Sequence, residues 1–186
     1  MGKNEGLTIL YGNRLVEKDD PVIVFRGKLD TLCAMVLEAQ LLGEREGSRE
    51  FVDDLRGILE FARSIFRAEY GGSPVGEFRP LGLSPGDLRE RCRNPGKYFG
   101  RGHLAMDTDM GPLSLRLNLL RAFAREVEIS AVTAFRDPRD PRSGIPGALN
   151  GLSSLFYVLT YKYLPGDYCP GDCPGVTFMG GVNSEG

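Results

Sequence analysis

No apolar run in this chain of 186 residues approaches the roughly 20 that cross a bilayer, and its first residues lack the basic-then-apolar order of a signal peptide. The sequence therefore reads as a cytoplasmic protein with no membrane partner. Strong charge of one sign is also missing. Lys and Arg number 23 against 25 Asp and Glu, a formal net charge of −2. That leaves no broad basic surface for nucleic acid, so a polyanionic ligand has to be held by local clusters. Cysteine is scarce, and the four at positions 33, 92, 169 and 173 have no secreted setting, so they read as reduced thiols. Cys33 falls on an apolar helical face and reads as core. Cys169-Pro-Gly-Asp-Cys173 has the spacing of half a zinc site, for which Cys92 and the single histidine, His103, are the other candidate ligands. No residue is assigned to a metal on this spacing alone. Strand alternation is nearly absent, and the tandem Asp137-Pro138-Arg139-Asp140-Pro141-Arg142 marks an exposed connection rather than a solenoid repeat.

Helical spacing is what the chain has. Leu29, Leu32, Val36 and Ala39 predict a first helix over 28–42, with Gly43 as its stop. Asp30 lies in its first turn, as a dipole-complementing carboxylate or as a partner for a specific cation. A second helix over 51–70 is apolar over a wide arc, through Phe51, Leu55, Ile58, Ala62 and Ile65, and is expected at the centre of the fold. The Gly- and Pro-rich stretch 71–85 cannot hold a long element. Ser84-Pro85-Gly86-Asp87 then has the pattern of a capped helix start, for a short helix that ends before Asn94-Pro95. A loop over 96–110 follows, in which His103 reads as a surface or capping residue. Two further helices are expected over 112–135 and 148–163. Ahead of them all, Leu7 to Leu10 form a brief extended run, 13–21 is polar and turn-prone, and Val22 to Phe25 are either a short strand or the lead-in to a helix. The fold expected is all-α, a bundle of four to five helices over 1–164 with an extended N-terminal arm, then a Gly- and Pro-rich tail over 165–186.

The fourth of these helices, 112–135, carries two faces. Leu113, Leu117, Leu120, Ala124, Val127 and Ala131 form an apolar stripe at spacings of three and four. Asn118, Arg121, Arg125 and Glu128 form a polar stripe beside it. Two guanidiniums one turn apart share a single carboxylate, which leaves positive charge suited to a phosphate chain. The same stripe is also compatible with a solvated helix face. The last helix sets Asn150, Ser154, Tyr157 and Tyr161 along one edge.

In order along the chain, four segments resemble the cobalamin adenosyltransferases of the propanediol-utilisation type, and above all their ethanolamine-utilisation branch. Gly6-Leu-Thr8-Ile-Leu-Tyr-Gly12, with Arg14, Val16 and Lys18-Asp-Asp-Pro21 after it, is similar to that family's nucleotide-binding arm. Gly27-Lys-Leu-Asp30-Thr-Leu32 resembles its Gly-x-x-Asp-Glu-Leu helix start. Arg121-Ala-Phe-Ala-Arg125-Glu-Val-Glu128 resembles the Arg-x-x-x-Arg-x-x-Glu of its long helix. Leu149-Asn150-Gly-Leu152-Ser153, with Phe156 beyond, is similar to its Asn-Arg-Leu-Ser-Asp motif. The chain departs from the pattern in having Lys3-Asn4-Glu5 in place of Thr-Gly-Asp before the first glycine, and Gly151 and Ser154 where the family has Arg and Asp. It also lacks the Cys-Cys-x-x-Cys cluster that ethanolamine-type members often carry after the second helix.

The resemblance implies a homotrimer of helical bundles that transfers the 5′-deoxyadenosyl group of ATP to reduced cob(I)alamin and releases triphosphate. It implies ATP, Mg2+ and cobalamin as ligands, and a reductase or an adenosylcobalamin-dependent enzyme as further partner, with association to a microcompartment. Carried over residue by residue, Arg121, Arg125 and Glu128 would be catalytic. Gly6, Thr8 and Lys18 would wrap the phosphates with the two arginines, Glu128 would orient an arginine or contact the nucleoside, and Asn150 would hydrogen-bond the nucleotide. Phe99 or its neighbours would supply an apolar wall against the corrin. The runner-up reading is a corrinoid- or nucleotide-binding protein that keeps this fold without turnover.

Overall fold

The computed structural model describes residues 5–168. Strands β1 (Leu7–Leu10) and β2 (Arg14–Glu17) pair antiparallel, with Thr8 opposite Val16. The turn between them uses Gly12 and Asn13 at positive φ, a conformation that glycine and asparagine tolerate and β-branched residues do not. The polar piece 13–21 thus contains a strand.

Helix α1 (Pro21–Arg45) starts seven residues before the sequence pattern indicates. Asp20 caps it by accepting from the Val22 amide at 2.9 Å, and Pro21 sits at the first helical position, where a missing N–H costs nothing. Val22 to Phe25 are its first turn, so Asp30 lies well inside the helix and not at its start. Gly43 does not stop α1. It is a buried residue within the helix, and a β-carbon there would stand 2.6 Å from the Phe51 ring. The glycine serves the close approach to α2, and the chain turns at Gly47 instead, at φ +70.

Helix α2 (Arg49–Gly71) ends on the left-handed Gly72. Helix α3 (Pro85–Arg93) has the expected reciprocal cap between Ser84 and Asp87. The loop 96–110 holds a short helix, α4 (Pro95–Phe99). Helices α5 (Gly111–Ala134) and α6 (Ile145–Lys162) follow.

Four long helices form the bundle, and cross-links between them fix its topology. Arg26 pairs with Glu69, Lys28 with Glu126, Arg116 with Glu38, and Lys162 with Asp54, while Ser114 donates to the Thr160 carbonyl. Each pairing joins opposite ends of neighbouring helices, so neighbours run antiparallel. Helices α2 and α5 then point the same way, and the connection 72–110 has to travel back along the length of the bundle. It does so across α6: Phe78 lies on Gly151, the Cys92 thiol donates to the Ser154 carbonyl, and Phe99 stacks on Tyr161. Covered by α5 on one side and by this connection on another, α6 is buried around most of its circumference. It is therefore α6, and not α2, that is central; α2 packs mainly on α1 and keeps a charged outer face.

Among the described residues, no helix is long and apolar enough to cross a membrane. Past Leu164 the chain has no regular element as far as Tyr168, yet Tyr168 is buried. Cys169 and Cys173, and with them the zinc half-site, lie outside the described residues.

Candidate functional site

The apolar stripe of α5 is buried from Leu117 to Ala131, which fixes the helix's rotation and turns the polar stripe toward the groove beside α6. Across that groove α6 presents Asn150, Ser153, Ser154 and Tyr157. Cys92 from α3 and His103 from the following loop close the remaining side. Together with Arg121 and Arg125 these residues line a hollow of about 340 Å³. The structure thus brings Arg121, Arg125 and Asn150 to one place from two helices.

The electrostatics of this hollow are unbalanced toward positive charge. Arg121 Nε donates to the neutral amide oxygen of Asn118 at 2.9 Å. Arg125 forms no hydrogen bond with any described residue, and neither arginine has a carboxylate within ion-pairing distance among them. No Asp or Glu stands in the wall. Glu128 lies one turn beyond Arg125 on the same stripe and outside the wall; burial pushes its carboxyl up, and Arg125 pulls it back. Burial likewise raises the Cys92 thiol, against the effect of its bond to Ser154, so it sits here as a neutral, hydrogen-bonded group.

Gly6, Thr8 and Lys18 are not in this hollow. They lie together at the open end of the hairpin, where the Lys18 amide donates to the Gly6 carbonyl at 2.8 Å. The other end of the hairpin is anchored on the bundle by Tyr11, whose ring lies under the Arg26 guanidinium at 4.7 Å and whose hydroxyl accepts from Arg142. That anchor borders a hollow of about 640 Å³ between Tyr11, Tyr70 and the 137–142 turn. Its charges are matched within it or beside it, Arg26 to Glu69, Arg139 to Asp137 and Arg142 to Asp140, which leaves none for a ligand. Phe99 lines a third hollow, of about 590 Å³, with Leu81, Leu83, Val158 and Leu159, and is not in the wall that holds Arg121 and Arg125.

Tyr157 and His103 are functional-site candidates that the motifs do not contain. The edge Asn150, Ser154, Tyr157, Tyr161 is visible in the spacing of α6, so Tyr157 carried a signal. His103 reads in the sequence as a surface or capping residue or, with Cys92, a candidate zinc ligand; its place beside Tyr157 carried no signal, because a loop packed on a distant helix has no local periodicity. Mg2+ finds no carboxylate in the wall, and among the described residues no three His, Cys, Asp or Glu side chains are placed to hold a metal. Mg2+ fits this hollow only as a companion of phosphate oxygens.

No family model matches the chain. Over 159 residues it is 35% identical to the corrinoid adenosyltransferase EutT of Escherichia coli K12 and, over the same length, 32% identical to the corrinoid adenosyltransferase EutT of Salmonella typhimurium LT2. The match takes in 84% of this chain, and the chain spans 58% of the length of these curated relatives. The activity in both names is the one that the four motifs imply.

Proposed function

We propose that this chain is an ATP-dependent corrinoid adenosyltransferase, which transfers the 5′-deoxyadenosyl group of ATP to cob(I)alamin. One observation carries the reading. Two guanidiniums without carboxylate partners and an asparagine amide, contributed by two different helices, converge on one hollow that has no acid in its wall. A triphosphate chain supplies the missing negative charge, and similarity to proteins named for this activity supports that choice of ligand.

The chemistry asks little acid–base work of the protein. Co(I) attacks the ribose C5′, the bond from C5′ to the triphosphate oxygen breaks, and its electron pair leaves with the triphosphate. What the protein supplies is alignment of cobalt with C5′, together with fixed positive charge where the leaving group becomes more negative. Arg121 and Arg125 provide that charge, Glu128 restrains the stripe from its far end, and Asn150 orients the nucleotide. Mg2+ arrives on the phosphates.

The active unit in this reading is a homotrimer. Within one chain Gly6, Thr8 and Lys18 stay at the end of the bundle and do not reach the arginines, so their contact with phosphates is made across a subunit boundary. The solvent face of α5 supports such a boundary, since Leu119 and Ile129 are 48% and 67% exposed there. A reductase or an adenosylcobalamin-dependent enzyme is the further partner, in the cytoplasm and in association with a microcompartment.

The test is to mix the purified chain with ATP, Mg2+ and chemically reduced cobalamin and to follow the absorption spectrum. Formation of adenosylcobalamin is expected. Tight ATP binding without any spectral change would select the non-catalytic binding protein instead.

A further inference from the structure

His103 Nδ1 lies 2.8 Å from the Tyr157 hydroxyl, the hydroxyls of Tyr157 and Tyr161 are 2.8 Å apart, and the Tyr161 hydroxyl donates to the Gly102 carbonyl at 3.0 Å. The end of this relay sets its direction. A carbonyl oxygen only accepts, so the one hydroxyl proton of Tyr161 is committed to Gly102. Tyr161 must then accept from Tyr157, and Tyr157 from His103. His103 Nδ1 therefore carries a hydrogen whether the ring is neutral or charged, and a second proton can be added only at Nε2. Nε2 has no hydrogen-bond partner among the described residues. Phe99 stacks on Tyr161 at 4.4 Å and burial raises the Tyr161 hydroxyl, which keeps the anchoring end of the relay a donor.

We propose that this relay makes His103 the third cationic contact to the polyphosphate, with one proton taken up at Nε2 as ATP binds and the resulting N–H donating to a phosphate oxygen beside Arg121 and Arg125. The inference rests on the hollow being the triphosphate site. The groups that face His103 decide its sign. Arg121 and Arg125 on α5 are cations, Tyr157 and Tyr161 on α6 are neutral, and Cys92 on α3 is a thiol held up by burial. On its own loop, Arg101 is turned away onto Tyr168, and Asp107 accepts from the Tyr168 hydroxyl. A polyphosphate held in the same hollow brings the negative charge to which an Nε2–H donates. The added proton leaves the relay intact, since Nδ1 keeps the hydrogen that Tyr157 accepts.

Isothermal titration of ATP into the full chain, in two buffers of different ionisation enthalpy, counts the protons. At mildly alkaline pH, wild type should take up a measurable fraction of a proton per nucleotide. His103→Gln should take up correspondingly less and bind roughly tenfold more weakly, the effect of one charge-assisted hydrogen bond. His103→Lys should restore affinity without the proton uptake. Inorganic tripolyphosphate should reproduce the difference between wild type and His103→Gln, because the contact is to phosphate and not to adenosine. Equal proton counts in wild type and His103→Gln overturn the inference and leave the Arg121–Arg125 reading standing. A difference seen with ATP but not with tripolyphosphate overturns it as well. Failure of wild type to bind either ligand overturns both.

Discussion

Gly151 on α6 faces the ring of Phe78 so closely that a β-carbon there would stand 2.8 Å from Phe78 Cζ. The long connection crosses the central helix at this point, and the ring occupies the volume that any larger side chain would need. The family motif that this segment resembles has arginine at this position, and an arginine here is incompatible with Phe78 in its seat. The departure at Gly151 and the course of the connection are thus one feature. Phe61 holds the Phe78 ring edge-on, with centroids 4.9 Å apart, so the ring has little room to retreat. Gly151→Ala should cost about 1–3 kcal/mol by overpacking, and each kcal/mol lowers the melting temperature by roughly 2–4 °C in a domain of this size. In a Phe78→Ala background the same substitution should cost almost nothing. Thermal unfolding of the two single variants and the double variant measures the coupling, and an additive result would refute the contact as the cause.

The arm depends on a second pair. Glu69 is 1% exposed and accepts from Arg26 Nε and Nη2, at 2.8 and 3.2 Å, while the same guanidinium covers the Tyr11 ring. Glu69→Gln leaves Arg26 without a counter-charge under the arm. A loss of about 3 kcal/mol is expected, as for a buried pair broken at one partner. Amide hydrogen exchange should quicken first over Leu7–Glu17. Unchanged protection of the hairpin would mean that Leu10 and the Arg142 bond to Tyr11, and not the Arg26 platform, anchor it.

How much of this was legible in the sequence varies with how local each feature is. Both stripes of α5 were legible, because i, i+3 and i+4 spacing is enough to define the faces of one helix. The capping box at Ser84 and Asp87 was legible for the same reason. The start of α1 was obscured by Gly27 within it, and Gly43 looked like a stop because a close-approach glycine and a terminating glycine are the same residue; only the Phe51 ring opposite tells them apart. The central place of α6 was invisible, since it follows from a connection that doubles back over it. The contact of His103 with Tyr157 was invisible on the same ground. Arg121, Arg125 and Asn150 were each legible singly, but their convergence depends on how α5 and α6 are set against each other.

Tyr168 ties the last described residues to the loop that carries His103. It is 4% exposed, its carbonyl accepts from Arg101, and its hydroxyl donates to Asp107. Tyr168→Ala should cost about 1.5–3 kcal/mol, the burial of one large side chain. It should also speed exchange in 101–107. A melting temperature for Tyr168→Ala equal to that of wild type would show that this anchor contributes nothing.

Trimer formation is testable through the face of α5. Sedimentation equilibrium at micromolar concentration should give three times the chain mass of 20.4 kDa. Ile129→Glu, which puts a charge into a face that would be desolvated on association, should shift the mass toward one chain without unfolding it. A wild-type monomer would remove the partner arm from the proposed site, and a trimer indifferent to Ile129→Glu would move the interface elsewhere.

The polar stripe of α5 offers the most direct test of the proposed site. If Arg125 contacts the triphosphate, Arg125→Ala removes a charge-assisted hydrogen bond of about 1.5–3 kcal/mol, and ATP affinity should fall by roughly one to two decades. Fold stability should hardly change, because Arg125 makes no hydrogen bond to a described residue. Arg125→Lys should rescue only in part, since an ammonium keeps the charge without the planar fork. Arg116 on the same helix is the control. It pairs with Glu38 on α1 at 2.9 Å, away from the hollow, so Arg116→Ala should leave ATP binding within about twofold and cost at most the small free energy of a surface pair. Isothermal titration of ATP into wild type and the three variants decides it. Equal affinity for wild type and Arg125→Ala would return the stripe to a solvated helix face, with the Arg125 charge met by solvent and by nearby Glu128.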